Sequence, residues 1–185
     1  MKRGIYLYRL ILAACLLIII ACAAGIGINR HTRARQDENA PGFLITKPDG
    51  GQLSNKDLLG HSFCLLFIRA DCNYCLEELK QLNTIYPDYK DKFDLLLVST
   101  GNEELSDEFK ARLKMPLDLY RASPEMSSHF KVKNVPMLVL VDEHGKIRYR
   151  QMGLRSEKFQ KIVFERFVRR ESLTDEALRL VYKTQ

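Results

Sequence analysis

Residues 69–82 read RADCNYCLEELKQL, with Cys72 and Cys75 three positions apart. Immediately upstream, "FCLLFI" (63–68) is a continuous apolar run, the pattern of a strand covered on both faces. Downstream, Leu76, Leu79, Leu82, Ile85 and Tyr86 recur at spacings of three and four, which predicts a helix with one core-facing stripe. The cysteine pair therefore sits where a buried strand hands over to an amphipathic helix, with Asp71 as the expected N-cap. At such a junction free N–H groups and the positive end of the helix dipole favour a thiolate at Cys72. The thiolate is the nucleophile in disulfide exchange, and Cys75, one helical turn on, is placed to resolve a mixed disulfide. The charge of Asp71 opposes that thiolate, and Arg69 is the residue that could offset it.

The rest of the chain repeats the alternation. "FDLLLVS" (93–99) and "MLVLVD" (137–142) are further continuous apolar runs and predict central strands. "FLIT" and "GQLS" flank the turn signal "KPDG" and predict a small hairpin ahead of them. "IRYRQM" (147–152) alternates, which predicts an edge strand with Ile147 and Tyr149 on one face. Helices are expected over 103–114, over 124–131 with Ser123 as N-cap and Pro124 at the first position, and from Ser156 to about Arg170. A last short helix is expected in the tail, with Ser172 and Asp175 forming a capping box. Strands interleaved with helices indicate an α/β sandwich.

Charge is distributed unevenly. Of 29 Lys and Arg, six precede residue 36, leaving 23 basic against 23 acidic residues in the remainder. A neutral globular part argues against nucleic-acid binding, which calls for a basic face. The run 10–28 holds 19 residues without a charge, close to the ~20 that cross a bilayer as a helix. Residues 1–35 are thus expected to be an N-terminal membrane anchor or signal segment. The alternative is a lipoprotein-type site at "IIAC" (19–22) with Cys22 acylated; the apolar stretch continuing through 23–28 favours the anchor. In that case Cys15 and Cys22 are small hydrophobes within the membrane. Lys2, Arg3 and Arg9 before the span nearly balance Arg30, Arg33 and Arg35 after it, so flanking charge barely sets orientation. Export of the C-terminal part is expected, into an oxidising extracytoplasmic (periplasmic) compartment where cysteine pairs serve exchange chemistry. Residues 36–42 read as a linker, 43–170 as the folded domain and 171–185 as a helical tail.

A structural zinc site is the main rival for the cysteines, because His61 and Cys64 precede Cys72 and Cys75 in two knuckle-like pairs. Eight residues of extended chain span up to about 26 Å at ~3.3 Å each, too far for four ligands on one ion. No metal is expected, and Cys64 reads as core. Glu77 and Glu78 read as exposed charges complementing the helix dipole rather than as a proton shuttle for Cys75. His61, His129 and His144 receive no role. Pro136 in "VKNVPMLVLVD" stands where a strand begins, a position that tolerates a residue without an N–H.

In this order, "FLITKPDGGQLSNKDLLGHSFCLLFIRADCNYCLEEL" and "PLDLYRASPEMSSHFKVKNVPMLVLVDEHGKIRYRQMG" resemble the TlpA/ResA-type membrane-anchored thioredoxin-like thiol-disulfide oxidoreductases, over about residues 41–170. The resemblance implies a thioredoxin-like three-layer sandwich with a mixed central sheet and an N-terminal hairpin, preceded by one transmembrane helix. It implies a cis Pro136 packed against Cys72 and Cys75, with the backbone of Val135 pairing with substrate chain. It also implies protein thiols and disulfides as substrates, a membrane electron donor as partner, and no cofactor beyond the cysteines. The chain departs from the family in carrying Asp71 where a Trp is usual and Asn73-Tyr74 between the cysteines. Such neighbours help set the stability of the reduced form and hence the direction of electron flow, for which a reductant is expected. A metallochaperone-like module holding a soft ion such as copper(I) on the same thiols is the alternative. A peroxiredoxin is disfavoured, since Arg69 occupies the place of its Thr or Ser.

Overall fold

In a computed structural model of the chain, residues 15, 38–101 and 117–184 are described. The chain divides into two compact units, Met1–Ala34 and Arg35–Gln185. In the first, only Cys15, in helical conformation, is described, so the apolar span 10–28 and Cys22 lie outside the described residues. The helix expected over 103–114 lies outside them too. Among the described residues no helix is long and apolar enough to cross a membrane.

The second unit is built on one eight-stranded sheet: β1 (Glu38–Asn39), β2 (Leu44–Thr46), β3 (Gln52–Ser54), β4 (Phe63–Ile68), β5 (Asp94–Ser99), β6 (Leu119–Ala122), β7 (Met137–Val141) and β8 (Lys146–Met152). Their spatial order is β1-β8-β7-β4-β5-β6-β2-β3. The sheet is mixed: β4 runs parallel to β5 and β5 to β6, whereas β7 pairs antiparallel with both β4 and β8. The helices are α1 (Asn73–Ile85), α2 (Pro124–His129), α3 (Glu157–Val168) and α4 (Asp175–Thr184).

The continuous apolar runs are strands sandwiched between two cores. Cys64, Leu66 and Ile68 of β4, with Leu95, Leu97, Leu138 and Leu140, pack with Leu79, Leu82 and Ile85 of α1 and Ile162, Val163, Phe164 and Phe167 of α3. Phe63, Leu65 and Phe67 face the other way, against Phe43 and Ile45 from the hairpin side and Met126 and Phe130 from α2 and its end. Burial on both faces makes a polar residue costly in these strands, hence the nearly unbroken apolar runs, with Ser99 at the end of β5 the buried polar exception. Leu173 and Leu178 carry the tail into the first core.

Three local expectations are corrected. Ile147 and Tyr149 do not share a face: the register shifts between Leu140 and Val141, pairing Leu140 with Tyr149 and Val141 with Ile147, so Ile147 joins the hairpin-side core and Tyr149 the helix-side core. Such a bulge opposes two residues to one and turns the side chains beyond it. β8 is not the sheet edge either, because β1 pairs with it, Glu38 opposite Ile147 and Asn39 opposite Lys146. β6 runs beside β5 as a further interior strand. In the tail, Thr174 rather than Ser172 caps α4, its Oγ1 accepting from the N–H of Ala177 at 3.3 Å.

Candidate active site

β4 delivers the chain to one end of the sheet, and α1 begins shortly after its last residue, Ile68. The N-cap of α1 is Cys72 itself, in extended conformation, and the Cys75 N–H points at Cys72 Sγ from 3.1 Å. Asp71 does not cap. Its carboxylate accepts from Arg69 Nε at 2.9 Å and Nη2 at 2.8 Å, and this guanidinium holds the carboxyl below its ordinary range. The charge that would oppose a thiolate at Cys72 is therefore met by the cation two residues before it. Both partners are exposed, so solvent screens the effect.

Cys72 and Cys75 are joined as a disulfide, with Cα atoms 5.2 Å apart. The two sulfurs differ in access: Cys75 is fully buried, and Cys72 is half-buried at the wall of a groove. This groove, about 560 Å³, is lined by Arg69, Tyr74, Thr100, Lys133, Asn134 and Val135 among others. Asn73 and Tyr74, between the cysteines, project to its mouth, Tyr74 with 69% of its surface exposed.

The opposite wall comes from the segment before β7. The Val135–Pro136 peptide bond is cis, and the Val135 carbonyl oxygen lies 3.7 Å from Cys72 Sγ. Pro136 in turn accepts a hydrogen bond from the N–H of Gly153 at 2.8 Å, which ties this segment to the end of β8. Gly153 adopts φ +76°, a backbone that glycine enters without steric cost. Cys72, Cys75 and Val135, from two segments far apart in sequence, thus meet at one end of the sheet, with Pro136 joined to Val135 through the cis bond.

Glu78 is the residue misplaced by sequence reasoning. It is fully buried rather than exposed, on the same side of α1 as Cys75 and Leu79. Gln160 of α3 donates its Nε2 hydrogen to Glu78 Oε1. Burial raises the Glu78 carboxyl from its ordinary value to about 7, while the Gln160 hydrogen bond and the backbone and charge of Arg155 pull it down. The signal was present: position 78 is three beyond Cys75, on the stripe that continues through Leu82 and Ile85, where a neighbouring side chain packs one turn on. Glu77 does remain at the surface, paired with Lys80 at 3.1 Å.

Cys64 lies fully buried in β4, and burial together with the Glu78 charge raises its thiol well above the ordinary range. His61 is exposed ahead of that strand. Among the described residues, no three His, Cys, Asp or Glu side chains are grouped to hold a metal ion.

Comparison with known proteins agrees with this architecture. The chain is similar to the thiol-disulfide oxidoreductase ResA of a Bacillus cereus strain, 25% identical over 162 residues that cover 83% of this chain and 91% of the relative. ResA of Geobacillus kaustophilus is 26% identical over 149 residues, 76% of this chain and 85% of the relative. Among solved structures, the thioredoxin domain of a thiol-disulfide oxidoreductase from Bacteroides vulgatus superposes with a TM-score of 0.61, at 22% identity, covering 73% of this chain and 99% of that one. A thiol:disulfide interchange protein from Bacteroides sp. gives 0.62 at 24% identity, covering 72% and 90%. The fold is thioredoxin-like, and the family model described as AhpC/TSA family matches residues 37–150. With a mixed sheet, a strand-to-helix cysteine pair and that match across most of its length, the chain belongs to the AhpC/TSA family.

Proposed function

We propose that this protein is a thiol-disulfide oxidoreductase that exchanges the Cys72–Cys75 pair with protein substrates, acting as a reductant on the extracytoplasmic side of a membrane. The observation that carries this reading is the half-buried Cys72 sulfur at a groove wall, 3.7 Å from a backbone carbonyl and bridged to a buried partner. In the reduced pair, the Cys72 thiolate attacks one sulfur of a substrate disulfide, and the other substrate sulfur leaves as thiolate. Cys75 then gives its proton to the Glu78 carboxylate and attacks Cys72 Sγ. The second substrate sulfur is released, the Cys72–Cys75 bond forms, and two electrons have passed to the substrate. When the pair is reduced again, Glu78 returns the proton to Cys75. The chemistry needs no cofactor beyond these sulfurs. Val135 offers backbone groups to an extended substrate segment, the mode by which a strand adds to exposed main chain.

A buried carboxyl beside the pair supports electron donation. A stabilised thiolate makes a pair oxidising, and Glu78, enclosed three residues beyond Cys75, works against it when ionised, whereas the Asp71 charge is met by Arg69. Span 10–28 tethers residues 43–170 through linker 36–42, with 171–185 as the closing helical segment, and a membrane electron donor restores the dithiol. Reduction of insulin or a model disulfide by the full chain tests the activity; activity surviving Cys72→Ser rejects the assignment. A reduction potential below about −200 mV fits a donor, and one above about −150 mV rejects that direction. Protease protection in fractionated cells tests the side of the membrane.

A further inference from the structure

The carboxamide of Gln160 is buried at some cost for a single purpose visible in the fold. Its side chain is fully enclosed on α3, its Nε2 donates to Glu78, and its Oε1 accepts nothing. An enclosed amide with one acceptor unused is destabilising in itself, so an apolar side chain would serve packing better. Among the described residues Glu78 Oε2 likewise lacks a partner, and Gln160 supplies the one side-chain hydrogen bond to this carboxyl, beside a backbone one at Arg155. The groups whose charge bears on the carboxyl come from several elements, Cys64 on β4, Tyr149 on β8 and Arg155 in the segment before α3, and Cys75 is buried on the same helix three residues back.

We propose that Gln160 is a positioning residue for the exchange reaction, fixing the Glu78 carboxyl on the Cys75 side of α1 and favouring the ionised form that accepts the Cys75 proton. This rests on the dithiol reading above. An N–H donor bonds a carboxylate about twice as strongly as a neutral acid, so it eases ionisation within a dry core. The α3 side chain thereby reaches the chemistry without touching a sulfur.

The test isolates the second half-reaction. In the full chain carrying Cys15→Ser and Cys22→Ser, Cys72 is converted to its mixed disulfide with 5-thio-2-nitrobenzoate, and release of that thiolate is followed from pH 5 to 9. In this step the Cys72–nitrobenzoate bond breaks, the Cys72–Cys75 bond forms, and the Cys75 proton passes to Glu78. Gln160→Met should move the acid limb upward by about one pH unit, a tenfold slower release on that limb. In a Glu78→Gln background the same substitution should move nothing. In the unaltered chain, the NMR signal of the Gln160 side-chain amide should titrate with the midpoint of the release profile, a readout independent of any variant's folding. An unmoved limb in Gln160→Met, an equal shift in the Glu78→Gln background, or a Gln160 amide that does not titrate overturns the proposal. Failure of Cys72→Ser to abolish exchange overturns the dithiol reading instead.

Discussion

The carbonyl oxygen of Val135 stands 3.7 Å from Cys72 Sγ, while Cys75 is enclosed behind it in the core. Any chain that bonds to Cys72 therefore meets the Val135 backbone, and the second sulfur can act only from the inside. Cys75→Ser should trap a mixed disulfide with substrate on Cys72, visible as a reducible covalent adduct by mass spectrometry. Cys72→Ser should trap none, and an adduct on Cys75 in that variant would reverse the assigned roles.

Asp71 and Arg69 bear on the same sulfur from the solvent side. Asp71→Asn removes a negative charge beside Cys72 and should lower its thiol pKa; Arg69→Ala unmasks that charge and should raise it. Both shifts should stay below about one pH unit, because the pair is exposed and screened. Thiolate absorbance followed against pH measures them, and identical titrations in both variants would remove the pair from the electrostatics of the site.

Glu78 makes stability pH-dependent with an unusual sign. Its carboxyl is raised from 4.5 to about 7 in the folded chain, so the native state binds the proton more tightly than the unfolded one. Its contribution is fully favourable below about pH 4.5 and is lost as pH rises through 7, by about 3 kcal/mol in all. Urea unfolding at pH 5 and pH 8 should show this loss in the native chain and not in Glu78→Gln. A pH difference of equal size in both would mean that Glu78 ionises as freely in the folded state as outside it.

Cys64 and Cys72 should part sharply in reactivity. Enclosure and the nearby Glu78 keep the Cys64 thiol protonated, so alkylation of the reduced native chain at pH 8 should leave Cys64 unlabelled until urea is added. Prompt labelling of Cys64 by mass spectrometry would contradict its burial.

The tail is part of the core. Leu178 and Leu173 are buried in the same core as the α1 and α3 side chains, and the Tyr182 ring meets Phe159 edge-on at 5.7 Å. Leu178→Ala should cost about 2 to 5 kcal/mol in urea unfolding, the usual range for an emptied leucine site. A loss under about 0.5 kcal/mol would show that α4 is dispensable.

Legibility followed periodicity. The strands buried on both faces and the stripe of α1 were readable because every position obeys one rule. β6, with only Leu119 of its four residues buried, and β1, two residues long, carry no such rule and are set by tertiary pairing. The bulge in the β7–β8 pair leaves no trace in sequence, because alternation continues there while the side chains change faces. Asp71 looked like a cap by residue type, yet its neighbour Arg69 competes for the same carboxylate and Cys72 takes the position. Glu78 was hidden by its charge, which outweighed a position on the apolar stripe. The Val135–Cys72 proximity joins segments 63 residues apart and came only from the resemblance.

At its two lateral margins the sheet ends in very short ribbons, Glu38–Asn39 on one flank and Gln52–Ser54 on the other. Among the described residues neither offers a long row of free amides and carbonyls to a neighbouring molecule, and each is polar or acidic at its tip. Crowding many copies side by side should consequently not seed fibrils through these flanks, and contact by backbone pairing is left to the redox end of the molecule.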